Sequence, residues 1–292
     1  MTDDAGTTGG TGPTDDTGTL PGPLVGADWL AARLGRTGLV VLDASVGAHR
    51  EAGRRIPGAR RFDIDGALSD QGVPLPHTMP GAVRFAEEMR VLGIDDADTA
   101  VVYDTAGIYS GPRAWWMLRA MGFDRVAVLD GGLPAWIAAG LPVEDRAPGG
   151  DGCTGDFTAR PRDGMLIDSS AVAEALGDPR AAVLDARSRE RFAGTGTEPR
   201  PGLRSGHMPG ALNLPFDEIQ RDGRMLPARE LRSVFSALAG DRERLVVSCG
   251  SGVTACVLAL GAELAGYREV SVYDGSWSEW GGRSELPVVT GA

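Results

Sequence analysis

Short aliphatic runs, bounded by helical or turn-rich sequence, punctuate the chain at Leu39 to Asp43, Ala100 to Asp104 and Val126 to Asp130. Apolar stretches of this length without polar alternation predict strands buried on both faces, as in a parallel sheet. The three runs return at Ala182 to Asp185, Leu245 to Cys249 and Val270 to Asp274. Their paired ends, Asp43 with Asp185, Asp104 with Cys249 and Asp130 with Asp274, lie 142, 145 and 144 residues apart. A near-constant offset marks an internal duplication. Smaller features repeat with it. Asp130-Gly131 and Asp274-Gly275 each precede a tryptophan, Trp136 and Trp280, and Pro57-Gly58-Ala59 is echoed by Pro209-Gly210-Ala211.

Strands alternating with helical stretches predict an α/β class, and a chain of 292 residues suits two domains. The expected architecture is two tandem domains at 20–147 and 163–292, each a mainly parallel sheet flanked by helices, joined by the Gly/Pro/Asp-rich stretch 148–162. Residues 1–19 are almost devoid of apolar side chains and predict a disordered tail, without the basic start or apolar core of a secretory signal.

The net charge of −11 weighs against nucleic-acid and anionic-membrane partners. The longest charge-free run, Leu245 to Ala262, is broken by Ser248, Gly250, Ser251 and Gly252, which excludes it as a membrane span. Three cysteines, Cys153, Cys249 and Cys256, are too few and odd in number for a disulfide framework, and a reducing cytoplasm is expected. His49, His77 and His207 lie in separate segments without ligand spacing, so neither a metal nor another cofactor is implied.

Two asymmetries separate the copies. Where the first has Asp104, the second has Cys249, followed by Gly250-Ser251-Gly252-Val253-Thr254-Ala255. Val257, Leu260, Gly261 and Leu264 follow helical spacing, so a helix should start near Val253. Cys249 then stands just before a helix N-terminus, where Gly250 and Gly252 let backbone N–H groups curl inward as a nest for negative charge. Such a site favours thiolate over thiol and makes Cys249 a candidate nucleophile. Cys256, in register with Leu260 and Leu264, reads as core, and Cys153 as an incidental surface thiol in the linker. The second asymmetry is length. Asp43 to Pro57 spans 14 residues but Asp185 to Pro209 spans 24, and the longer segment carries Arg187, Arg189, Arg191, Arg200 and Arg204.

The loop CGSGVTA (249–255), the trailing DGSWSEW (274–280), RFAGTGTEPRPG (191–202) and SGHMPGA (205–211) together resemble the tandem-domain sulfurtransferases of the rhodanese superfamily, over about residues 20–292. The resemblance implies that Cys249 carries a persulfide, with Gly250, Gly252, Val253 and Thr254 forming its binding loop. It implies that Arg191 and Arg200 hold the substrate, and that Ser251, His77 and Asp65 form a proton relay, the last two supplied by the first domain. Asp63 is a rival to Asp65. Arg187 and Arg204 read as solvated loop charges. His207 reads as a turn-fixing residue, and Trp115-Trp116 as core or interdomain packing.

A Cys-Gly-Ser-Gly-Val-Thr loop looks like that of family members acting on 3-mercaptopyruvate, whereas Arg-Lys follows the cysteine in those acting on thiosulfate. The chemistry agrees, because neutral Gly250 and Ser251 offer a dianion such as thiosulfate only backbone dipoles. The expected partners are a small sulfur donor and an acceptor that is a thiol, such as thioredoxin or a small dithiol, or cyanide. The first domain, with Asp104 in the nucleophile's place, is expected to be catalytically silent. Three alternatives stand: a thiosulfate:cyanide sulfurtransferase, a non-catalytic persulfide carrier or binding module, and a Cys-x5-Arg phosphatase. The last is disfavoured by Ala255 six residues after Cys249.

Overall fold

All six expected strands form, each within one residue of its anticipated ends, as the central strands of two parallel sheets. The structure is a computed structural model that describes residues 19–145 and 154–291; the expected tail, apart from Thr19, and Cys153 lie outside the described residues. The first half contains β1 (Leu24–Val25), β2 (Leu39–Asp43), β3 (Arg54–Arg55), β4 (Arg60–Arg61), β5 (Thr99–Tyr103), β6 (Val126–Leu129) and β7 (Glu144–Asp145). Its helices are α1 (Ala27–Ala31), α2 (Ala82–Val91), α3 (Gly111–Ala120) and α4 (Gly132–Ala138). The second half contains β8 (Leu166–Ile167), β9 (Ala181–Asp185), β10 (Leu212–Asn213), β11 (Gln220–Arg221), β12 (Arg224–Met225), β13 (Arg244–Ser248) and β14 (Glu269–Tyr273). With them come α5 (Ser169–Gly177), α6 (Arg189–Ala193), α7 (Ala228–Ala239), α8 (Ala255–Ala265) and α9 (Ser276–Trp280).

The sheets run β1-β6-β5-β2-β4 and β8-β14-β13-β9-β10, the same order in duplicate, with every pairing parallel. Equivalent strands therefore carry equivalent ends. Tyr103 is followed by Asp104 and Ser248 by Cys249, each at the carboxyl edge of its sheet, where open α/β folds place ligands. The β3–β7 and β11–β12 pairs are short antiparallel ribbons.

One hydrophobic cluster runs through both halves, joining Trp115, Trp116 and Leu118 of α3 to Leu258 and Leu260 of α8. Trp116 Nε1 donates to the carbonyl of Met165, across the boundary, at 3.0 Å. This explains a departure from the expected helix. It begins at Ala255, two residues late, and Ala255 to Ala262 are buried on every side rather than along one stripe, because α3 of the other half covers the face that amphipathic spacing assigns to water. The described part of the expected linker is likewise packed. Phe157 is buried in the core, and the N–H groups of Gly155 and Phe157 donate to the carbonyls of Arg90 and Ile94. Among the described residues no helix is long and apolar enough to cross a membrane.

Candidate active site

Cys249 leaves β13 at the junction of the two halves and is only 2% exposed. Its loop is stapled to the start of α9: the Cys249 N–H donates to Ser276 Oγ at 3.2 Å, the Cys249 carbonyl accepts from Trp277, and the Gly250 carbonyl accepts from the backbone and hydroxyl of Ser278. The DGSWSEW segment thus accompanies the cysteine because its serines hold the loop. Gly252 has φ +76°, a left-handed turn that only glycine adopts at little cost. Among the described residues the N–H groups of Gly250 to Thr254 donate to no protein acceptor. Val253 is buried and Thr254 half-buried at the mouth of α8, their carbonyls receiving the N–H groups of Cys256 and Val257.

The corresponding loop of the first half shows what such a nest is for. There the Asp104 carboxylate accepts from the N–H groups of Ala106, Tyr109, Ser110 and Gly111 at 2.8–2.9 Å. An anion built into the chain fills the cradle. With Cys249 in place of the aspartate, no side-chain carboxylate among the described residues fills the second cradle.

His77 comes from the first half and reaches across. Its Nδ1 lies 2.9 Å from Ser251 Oγ, and its Nε2 lies 3.0 Å from Asp65 Oδ1. Asp65 also accepts from the Gly47 N–H at 2.6 Å, whereas Asp63 pairs with Arg50 at 2.7 Å, so Asp65 is the carboxylate facing His77. Since an ionised carboxylate only accepts, the bookkeeping assigns the proton to Nε2, leaving Nδ1 to accept from the Ser251 hydroxyl. Arg200 Nη2 approaches the same hydroxyl oxygen at 3.4 Å, which completes a one-way chain from Arg200 through Ser251 and His77 to Asp65. Burial pushes the imidazole below its usual value of 6.5; Asp65 opposes the fall, and Arg113 and Arg200 add to it. His77 is therefore neutral near pH 7 and able to take a proton.

Arg191, on α6, extends over the loop, and a Cβ at Gly250 would lie 3.1 Å from its Nη2. Its guanidinium is held by Glu198 at 2.7 Å. Beneath them Arg187 departs from its expected role. Rather than a solvated charge, it is 2% exposed, forked onto Asp185, bonded to Glu198 at 2.9 Å and stacked 4.0 Å over the Trp277 ring. Two buried carboxylates demand a cation there, since removing one partner of such a pair typically costs about 3–5 kcal/mol. Arg204 is structural as well, donating to the carbonyls of Trp280, Gly281 and Leu286. His207 fixes its turn as expected, with Nδ1 2.8 Å from the Phe192 carbonyl and its ring stacked on Phe192. Cys256 is core: burial pushes its thiol up to about 12.

A family model described as the rhodanese-like domain matches residues 26–139 and again 168–283. The chain belongs to the rhodanese family. The chain is 40% identical over 275 residues, 91% of its own length and 97% of the relative's, to the 3-mercaptopyruvate sulfurtransferase of Escherichia coli K12. It is 39% identical over 298 residues to the mitochondrial thiosulfate/3-mercaptopyruvate sulfurtransferase 1 of Arabidopsis thaliana, covering 91% of this chain and 78% of that one. Among solved structures it resembles SseA from E. coli, with a TM-score of 0.77 and 37% identity over 87% of this chain and 98% of that one.

Several residues that shape the rhodanese site are not legible as site residues in the sequence. Tyr109 is one: it lies in the loop that duplicates CGSGVTA, and its ring packs edge-on against Phe216 of the second half. Burial raises its pKa, the neighbouring Cys249 adds to the rise, and Arg191 and Arg200 oppose it. Glu198 and Arg187 set the orientation of Arg191, and Arg113 and Asp274 meet at the domain boundary. The signal for Tyr109 was the duplication itself, because two copies related about an interface bring their equivalent loops face to face.

Proposed function

We propose that this protein is a 3-mercaptopyruvate sulfurtransferase whose second domain carries the reaction, with the first supplying His77 and Asp65 but no nucleophile. The observation that carries this reading is the convergence on the Cys249 loop of Arg191 and Arg200 from one domain and a neutral, Ser251-bonded His77 from the other. The Cys249 thiolate attacks the donor sulfur, the carbon–sulfur bond breaks with its electron pair passing to carbon, and pyruvate leaves as the enolate. The Arg pair holds the donor's carboxylate and ketone in planar, charge-assisted hydrogen bonds. Ser251 and His77 move the proton that the donor thiol gives up and the enolate carbon gains. Cys249 keeps the outer sulfur as a persulfide, its charge met by the loop N–H groups. A thiol or cyanide then attacks the outer sulfur and returns the thiolate. Thioredoxin or a small dithiol suits this second step. With Cys249 and Cys256 both free thiols, a reducing compartment such as the cytoplasm suits the enzyme.

Side-by-side kcat/KM measurements with 3-mercaptopyruvate and thiosulfate test the donor. The expected preference for 3-mercaptopyruvate is at least about tenfold, because Arg191 and Arg200 reach the loop in a planar, bidentate arrangement suited to a carboxylate and a ketone rather than as cations in the residues that follow Cys249. Equal or better turnover of thiosulfate would reverse the assignment.

The relay predicts a pH profile. Activity is carried by neutral His77, so kcat/KM has an acid limb below 6.5. Asp65→Asn removes the group that raises the imidazole pKa, which moves the limb further to the acid side and lowers kcat by about tenfold or more. The sign carries over to stability: because the folded pKa lies below the unfolded one, the contribution of neutral His77 is present above the usual value and is lost as pH falls through the folded value. An acid limb at or above 6.5, or one that moves upward in the Asp65 variant, contradicts this role.

A further inference from the structure

The repeated Asp-Gly at the ends of β6 and β14 finds its explanation at the domain boundary. Asp274 Oδ2 accepts from the N–H of Met79 at 2.8 Å, two residues after His77. Its Oδ1 accepts from Arg113 Nη2 at 2.7 Å. That same Nη2 donates to the carbonyl of His77 at 2.7 Å, and Arg113 Nη1 approaches the carbonyl of Gly252 at 3.5 Å. Arg113 is fully buried and Asp274 half-buried, with side-chain exposures of 0% and 17%. One ion pair therefore grips the backbone at the carbonyl of His77 and the N–H of Met79, and touches the cysteine loop as well.

The duplicate does the mirror image. Asp130 Oδ1 accepts from the N–H of Met225 at 3.0 Å, Arg224 bonds to the Asp130 carbonyl at 3.2 Å, and Gln220 Nε2 donates to the carbonyl of Ile108 at 2.9 Å. Each domain thus lays an arm across the strand-end loop of the other, anchored on the same inherited aspartate. One arm brings His77 to the Cys249 loop. Its counterpart brings the Gln220–Met225 ribbon to the loop already filled by Asp104.

The arm needs such an anchor. His77 has φ +60°, a left-handed conformation that costs a non-glycine residue of order 1–3 kcal/mol and persists only where its surroundings impose it. A displacement of about 1 Å in a catalytic group costs on the order of a hundredfold in rate. We propose that Asp274 and Arg113 are positioning residues for sulfur transfer, a pair that holds His77 in its left-handed conformation against Ser251 and so keeps the relay assembled across the domain boundary. This rests on the sulfurtransferase reading for its kinetic consequence, but the position of the arm can be read without turnover.

The test uses the full-length protein with Asp274→Asn and, as a control, Asp130→Asn, which removes the equivalent anchor from the silent side. With 3-mercaptopyruvate and a dithiol acceptor, Asp274→Asn should lower kcat by about 10–100-fold while KM stays within about threefold. In a His77→Ala background the same substitution should cost less than about threefold, since it acts through His77. Asp130→Asn should leave kcat within about twofold while lowering the melting temperature about as much as Asp274→Asn does.

Proton NMR titration of His77 supplies a readout independent of turnover. The groups that face the imidazole are Asp65, Arg113 and Arg200, with Arg50 behind Asp65. If Asp274→Asn releases the arm, His77 loses its burial and titrates closer to 6.5. If the arm stays in place, removal of a negative charge leaves the pKa unchanged or lower. An unmoved or lowered His77 pKa, a kcat loss that persists without His77, or an equal kcat loss in Asp130→Asn overturns the proposal. A wild-type enzyme that transfers no sulfur while Asp274→Asn still raises the His77 pKa would sink the donor assignment and leave the positioning role standing.

Discussion

Cys249→Ser is expected to reduce sulfur transfer by at least about 10³-fold and to abolish the persulfide, seen by mass spectrometry as loss of a gain of about 32 Da after exposure to donor. Serine preserves the loop, whose contacts to Ser276, Trp277 and Ser278 run through backbone atoms, so the protein should fold and melt as before. What it removes is the ionisable sulfur. Cys256→Ser is the discriminating companion. That thiol is buried in α8, is pushed up to about 12 and donates to the Gly252 carbonyl, so its replacement should leave the persulfide on Cys249. A mass gain retained by Cys249→Ser would place the nucleophile elsewhere.

Arg200→Ala and Arg191→Ala should each lower kcat/KM for 3-mercaptopyruvate by about 10²–10³-fold, since hydrogen bonds to a charged group contribute about 1.5–3 kcal/mol and each guanidinium supplies more than one. The lysine variants should recover only part of this, because an ammonium cannot reproduce a planar fork. The two arginines should also differ. Arg191 is held by Glu198 whether or not donor is bound, so its loss should fall mainly on KM. Arg200 also touches Ser251 Oγ, so its loss should lower kcat as well. Values within twofold of wild type for either alanine variant would remove that arginine from the substrate site.

A duplicated domain can divide its labour through very small changes. The two strand-end loops share a backbone plan, yet Asp104 fills the first nest with four N–H bonds, while among the described residues no protein acceptor meets the N–H groups of Gly250 to Thr254 in the second. On the proposed reading the first domain, which carries no nucleophile of its own, still supplies part of the site. Its arm brings His77 to Ser251 and its α3 brings Arg113 to the His77 carbonyl, so the candidate site lies at the boundary rather than in either half.

The sequence by itself determined the duplication, the six central strands and the place of Cys249 at a strand end before a helix. These follow from forces that act over a few neighbouring residues: aliphatic runs that must be buried, and glycines that turn the chain. The resemblance named His77, Asp65, Arg191 and Arg200, but the residues alone left Asp63 and Asp65 equivalent. Only the tertiary structure separated them, by bringing Asp65 to 3.0 Å from His77 while Asp63 pairs with Arg50. It also reversed the reading of Arg187, whose partners Asp185 and Glu198 converge only once α6 folds over the loop, and it buried every face of α8 against α3. Local pattern reports how much of a residue must leave water. Which partner it meets there depends on segments as distant as His77 and Ser251, 174 positions apart, and only the packing of the two domains brings them within a hydrogen bond.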